Sequence, residues 1–164
     1  MIARKKILPA LLLLCLALLA ACSGGAESGS SGGALQTLDM PGVEQHFTAN
    51  RGKVTLVMFW ATWCPACKTE MPVLEQLRAK YPPEKLDVMA ISVDDTEQVM
   101  AEYLKSQPTT VDVYLSKAEV GSEFGVKSIP ALYVLDKGGQ VAFNSAGVYP
   151  FEMLDSVISQ LVKD

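Results

Sequence analysis

The chain predicts an α/β fold in which helices flank a central mixed β-sheet. Three observations carry this. Apolar runs of strand length alternate with stretches of helical spacing along residues 34–164. One of those runs, Val54 to Trp60, leads directly into Cys64-Pro65-Ala66-Cys67 and then a helical pattern. Near the end, Asp136-Lys137-Gly138-Gly139 reads as a hairpin turn between two strands, followed by a closing amphipathic helix.

Taken in order, Leu35 to Met40 reads as a short edge strand, with an irregular stretch running through Gly52. Val54 to Trp60 is a continuous apolar run but for Thr55, as a central strand covered on both faces should be. Pro65 to about Tyr81 predicts a helix with Val73, Leu74 and Leu77 inward. Pro72 lies inside it, removes one hydrogen bond and predicts a kink. Leu86 to Val93 is a second apolar strand, and Asp94 or Asp95 then caps a helix reaching about Ser106. Val111 to Leu115 is a third strand, and Ser116-x-x-Glu119 is a capping-box pattern opening a short helix. Ser128-Ile129-Pro130 leads into a strand at Ala131 to Leu135, whose hairpin partner is Gln140 to Asn144. Phe151, Leu154, Val157, Ile158, Leu161 and Val162 recur at helical spacing and form the inner face of the last helix. Trp60 reads as core, Met71, Met89, Met100 and Met153 as core filler, and His46 as a surface or loop histidine.

The first residues read as an export signal. Arg4, Lys5 and Lys6 precede an apolar stretch from Ile7 to Leu19, which is short for a membrane-spanning helix. The stretch ends in Leu19-Ala20-Ala21-Cys22, which resembles the lipobox of bacterial lipoproteins. That resemblance implies cleavage after residue 21 and lipidation of Cys22, with two or three acyl chains giving stable anchoring. Cys15 falls in the discarded part. Ser23 to Gly33 has no side chains suited to packing and would act as a flexible tether spanning about 17–20 Å. The organisation expected is therefore a signal peptide at 1–21, a lipidated cysteine and tether at 22–33, and one domain at 34–164. Ser23, where an Asp would matter for sorting, favours the periplasmic side of the outer membrane in a two-membrane cell. In a single-membrane cell the same anchor means the outer face of the plasma membrane.

The net charge is −4, and it becomes −7 once Arg4, Lys5 and Lys6 are removed. That balance argues against nucleic acid and against electrostatic docking on anionic lipid. No internal repeat is found.

The chemistry concentrates at Cys64 and Cys67. A cysteine where a strand gives way to a helix, such as Cys64, takes the first exposed position at the helix N-terminus, beside unpaired backbone N–H groups and the positive end of the helix dipole, which favour its thiolate. Pro65 suits the first helical position because its missing N–H costs nothing there. Cys67 is one turn on, within reach of a small disulfide ring with Cys64. The rival use of such a pair is half a zinc site. Zinc takes about four ligands, whereas Cys64, Cys67 and the lone His46 are all that remain after Cys15 and Cys22 are set aside. No metal or other cofactor is expected.

The string Phe59-Trp60-Ala61-Thr62-Trp63-Cys64-Pro65-Ala66-Cys67, with Pro72 and then Ile129-Pro130, resembles the thioredoxin superfamily. More narrowly it resembles the exported TlpA/ResA-like thiol–disulfide oxidoreductases, over essentially all of residues 35–164. The resemblance implies a thioredoxin-like fold with an extra strand–helix insert, since 63 residues separate Cys67 from Pro130. It implies that Pro130 follows a cis bond, faces the dithiol and exposes the Ile129 backbone to a substrate segment, with Trp63 and Pro65 flanking the dithiol. It also implies a proton-handling role for Glu70, three residues beyond Cys67. One departure is Met58, where thioredoxins proper carry an aspartate, so proton transfer falls to Glu70 or to water.

The function implied is disulfide reduction in exported proteins by a Cys64/Cys67 dithiol, the two closing a redox disulfide. Oxidised protein thiols would be the substrates, including apocytochrome c cysteines, and a membrane donor of the CcdA or DsbD type would restore the dithiol. A monomer is expected. The reverse direction, an oxidase or isomerase, stays open because the Pro65-Ala66 pair does not set the reduction potential. A non-catalytic binding lipoprotein is the third reading. A peroxidase lacks a further cysteine, and copper delivery of the Sco type is disfavoured by the scarcity of histidine.

Overall fold

The computed structural model describes residues 35–93 and 95–163. Arg4 to Lys6, Cys15, Cys22, the Ser23 to Gly33 stretch and Asp94 lie outside the described residues.

Six strands among the described residues form one sheet: β1 (Thr37–Leu38), β2 (Val54–Trp60), β3 (Leu86–Ser92), β4 (Asp112–Ser116), β5 (Ala131–Leu135) and β6 (Val141–Ala146). Their order is β1-β4-β3-β2-β5-β6. β1, β4, β3 and β2 pair in parallel, and β5 and β6 join antiparallel, so the sheet is mixed as expected. The helices are α1 (Met40–Ala49), α2 (Pro65–Lys80), α3 (Glu97–Ser106), α4 (Ala118–Glu123) and α5 (Phe151–Lys163). The units β3, α3, β4 and α4 fill the interval between Cys67 and Pro130, where the insert was expected.

All seven residues of β2 are buried, because helices cover both faces of the sheet. Alternation divides them. Leu56, Met58 and Trp60 join Met71, Leu74 and Leu77 of α2, Met100 of α3, and Leu154 and Ile158 of α5. Val57 and Phe59 face the other way, toward Val43 of α1 and Val120 of α4. Register is set by the ladder from Val54 opposite Leu86 to Trp60 opposite Ser92, with Thr55 to Phe59 paired against Leu135 to Ala131. This central strand carries the Cys-containing turn at its end.

Several local expectations are corrected. The stretch after Leu38 is not irregular but folds as α1, because Asp39 is extended and its side chain accepts the Gly42 N–H at 3.0 Å. Pro41 stands in the first turn, and Met40, Val43 and Phe47 fall on the side that packs against the sheet. α3 is capped by Thr96, whose hydroxyl accepts the Val99 N–H, while Asp95 serves elsewhere. Ser116 caps nothing: it ends β4 and donates its hydroxyl to the Ser92 carbonyl at 2.7 Å, and Lys117 stands at the N-cap of α4 without a side-chain cap bond. Met71, Met89 and Met100 are core, but Met153 on α5 is 41% exposed. His46 lies on α1, half-buried, with Nε2 at 2.7 Å from Asp87 on β3. Pro72 lies inside helix α2, as expected from the sequence.

Candidate active site

The turn that follows β2 is closed by the Cys64 N–H, which donates to the Ala61 carbonyl at 3.1 Å. Cys64 then caps α2 with extended backbone (φ −88°, ψ 108°), and its Sγ accepts the Cys67 N–H at 3.2 Å. Pro65 is the first helical residue. Cys64 and Cys67 are joined as a disulfide with Cα atoms 5.3 Å apart. The sequence predicted an exposed leading cysteine. Instead Cys64 is only 4% exposed and Cys67 fully buried, because the turn presses both sulfurs against the core cluster. Exposure falls to Trp63, at 61%, and to Pro65 and Ala66.

Ile129–Pro130 is a cis bond, and the Ile129 carbonyl oxygen lies 3.8 Å from Cys64 Sγ. The cis residue is held from behind, since the Pro130 carbonyl accepts the Gly147 N–H at 2.8 Å. The fold thus brings Cys64, Cys67, Ile129 and Pro130 together, as the family resemblance implies, although 62 residues separate Cys67 from Ile129. Beside them Trp63, Val93, Gly121, Val126, Ser128 and Ile129 line a groove of about 560 Å³.

Glu70 sits one turn beyond Cys67 and is fully buried. Its Oε2 accepts the Tyr149 N–H at 3.0 Å, whereas Oε1 has no hydrogen-bond partner. Burial pushes the carboxyl above its ordinary range, and the single N–H opposes this only in part. Met58 is buried on β2 and supplies no acid.

Two contributors were not read from the sequence. Tyr149, in the β6–α5 connection, acts through its backbone, which leaves no residue-type signal. Asp95, as the alternative to Asp94, is offered by the sequence for a helix cap. Its carboxylate instead accepts from Thr62 N–H at 2.9 Å, Thr62 Oγ1 at 2.5 Å and Ser92 Oγ at 2.6 Å.

A family model described as thioredoxin-like matches residues 52–141, from just before β2 to the start of β6. The chain belongs to the thioredoxin-like family. Within it, the chain is 27% identical over 124 residues to the thiol-disulfide oxidoreductase ResA of Bacillus thuringiensis, covering 75% of this chain and 72% of that one. It is 28% identical over 109 residues to the sporulation thiol-disulfide oxidoreductase A of Bacillus subtilis, covering 64% and 66% respectively. A solved structure described as a thiol:disulfide interchange protein DsbE, from Chlorobium tepidum, is similar with a TM-score of 0.65 at 26% identity, over 70% of this chain and 84% of that one. This thioredoxin-like chain is a thiol–disulfide oxidoreductase of that type, and its Cys64–Cys67 pair stands at bonding distance.

Proposed function

We propose that this oxidoreductase reduces disulfides in exported proteins through Cys64 and Cys67 while tethered to a membrane outside the cytoplasm. The observation that carries the exchange reading is the Cys64 sulfur at the cap of α2, with the Cys67 N–H on one side and the Ile129 carbonyl on the other.

The reduced enzyme attacks as a thiolate, stabilised by that N–H and by the helix dipole. Cys64 S⁻ bonds one sulfur of the substrate disulfide and expels the other as a thiolate, which takes up a proton. Burial raises the proton affinity of the Glu70 carboxylate, and in its ionised form it accepts the proton of Cys67. Cys67 S⁻ then bonds Cys64, displacing the second substrate sulfur. Two electrons and two protons pass to the substrate, and the Cys64–Cys67 bridge forms. Ile129 and Pro130 present backbone to the substrate chain, with Trp63 and Pro65 at its flanks and the apolar groove for a neighbouring side chain.

The tether reading rests on Leu19-Ala20-Ala21-Cys22 and the Gly/Ser-rich stretch that follows. Cys22 carries the lipid, residues 1–21 are removed, and residues 34–164 face the periplasm or the cell exterior. Candidate substrates are the haem-site cysteines of apocytochrome c, and a donor of the CcdA or DsbD type returns the dithiol.

The test is trapping in cells. In Cys67→Ser, Cys64 should hold its natural substrates as mixed disulfides that mass spectrometry identifies, and Cys64→Ser should hold none. A folded, exported Cys67→Ser protein that traps nothing would overturn protein exchange. A strongly oxidising potential, measured against a glutathione series, would reverse the direction. Cys22→Ser should move the protein from the membrane to the soluble fraction.

A further inference from the structure

We propose that Asp95 is a positioning residue for the exchange reaction: it grips the turn between β2 and α2 and so determines where Trp63 and Cys64 stand. This rests on the reading of Cys64 as the attacking sulfur.

Both carboxylate oxygens are committed to the turn. Oδ1 accepts the Thr62 hydroxyl at 2.5 Å, and Oδ2 accepts the Thr62 N–H at 2.9 Å and the Ser92 hydroxyl at 2.6 Å. Charge-assisted bonds of this kind are roughly twice as strong as neutral ones. Ser92 is itself fixed. It is 1% exposed, its hydroxyl accepts the Asp95 N–H at 3.2 Å, and its carbonyl takes the Ser116 hydroxyl. The Val93 N–H extends the sheet by donating to the Trp60 carbonyl at 3.0 Å. Thr62 is therefore clamped from the β3–α3 connection, while Cys64 N–H on Ala61 closes the other end of the same turn.

Thr62 is 7% exposed, so losing Asp95 would strand its N–H and hydroxyl where water reaches them poorly. The turn would shift to recover partners. A shift of order 1 Å at a reacting atom costs up to about a hundredfold in rate. The clamp also joins the two groove walls, since Trp63 follows Thr62 and Val93 follows Ser92.

The experiment uses the reduced full chain and a small aliphatic disulfide, hydroxyethyl disulfide, followed across pH. The plateau rate reports fully ionised Cys64, and the midpoint reports its ionisation. Asp95→Ala and Thr62→Val should each lower the plateau about tenfold. The double variant should be no slower than either single one, as expected for two ends of one interaction. Thr62→Ser, which keeps the hydroxyl, should hold the wild-type plateau. An unchanged plateau in Asp95→Ala, additive losses in the double variant, or equal losses in Thr62→Ser and Thr62→Val would each overturn the role of Asp95. Should Asp95→Ala fail to fold, the Thr62→Ser and Thr62→Val pair decides with Asp95 still in place. Wild-type protein that does not react, or Cys64→Ser that reacts as fast, would instead overturn the exchange reading.

Discussion

At the scale of single residues, Glu70 is the group whose surroundings predict most. A carboxyl raised by burial binds its proton more readily in the folded chain than in the unfolded one. Stability is then highest below the ordinary value of 4.5 and declines as pH rises from there through the raised folded value. Glu70→Gln resembles the protonated form, and its amide oxygen still takes the Tyr149 N–H. In the oxidised protein, where neither cysteine titrates, the variant and the wild type should melt together near pH 4 and separate toward pH 8, the variant melting higher. A constant difference across that range would mean that Glu70 is not penalised by burial. The same variant should slow turnover on a protein disulfide by about 10²-fold, the usual worth of a positioned general base. Cys64→Ser should remove turnover altogether. At this scale much was legible: Cys64 and Cys67 stand out by residue type and spacing, and the family resemblance points to Pro130 and Glu70. Thr62 and Asp95 did not, because a hydrogen bond spanning 33 positions has no local pattern.

At the scale of elements, the strands were read well and the helix starts less so. Largely apolar runs identify β2 and β3 because both faces of these strands are covered, with only Thr55 in β2 and Asp87 and Ser92 in β3 interrupting the pattern. Caps are harder, since Ser, Thr and Asp all suit the position and only the chain's path chooses among them. At α3 the choice is Thr96, one residue past Asp95, because Asp95 is occupied by Thr62 and Ser92. Thr96→Ala should therefore cost about 1 kcal/mol in urea unfolding. Ser116→Ala tests the contrast. It should destabilise through the lost bond between β4 and the Ser92 carbonyl, with no change in helix content by circular dichroism. α1 escaped detection because its inward side is thin: Val43 is its one fully buried residue.

At the scale of the whole molecule, α5 closes the face of the sheet that carries the cysteines. Its Leu154 and Ile158 are fully buried in the same cluster as Cys64, Cys67 and Trp60. Leu154→Ala should cost roughly 2–5 kcal/mol, since a close-packed site collapses only in part around the cavity. Urea midpoints of the oxidised protein check this. A second tie holds α5 to α2: Lys80 Nζ and the Tyr81 hydroxyl both donate to Asp155 Oδ1, at 2.6 and 2.7 Å. Desolvation, reinforced by the neighbouring Asp155, pushes the Tyr81 hydroxyl up to about 12, so this tie survives mild alkali.

The central strand has consequences for how the enzyme moves. β2 has a hydrogen-bonded neighbour on either side and no residue open to water, and such backbone is the last to breathe. Electrons can therefore enter and leave at its tip while the frame stays shut. Deuterium uptake compared between the oxidised and reduced forms should differ around Trp63 to Cys67 and around Gly147 to Tyr149, and stay equal from Val57 to Phe59. The sheet serves as a rigid mount for the sulfurs and not as a hinge.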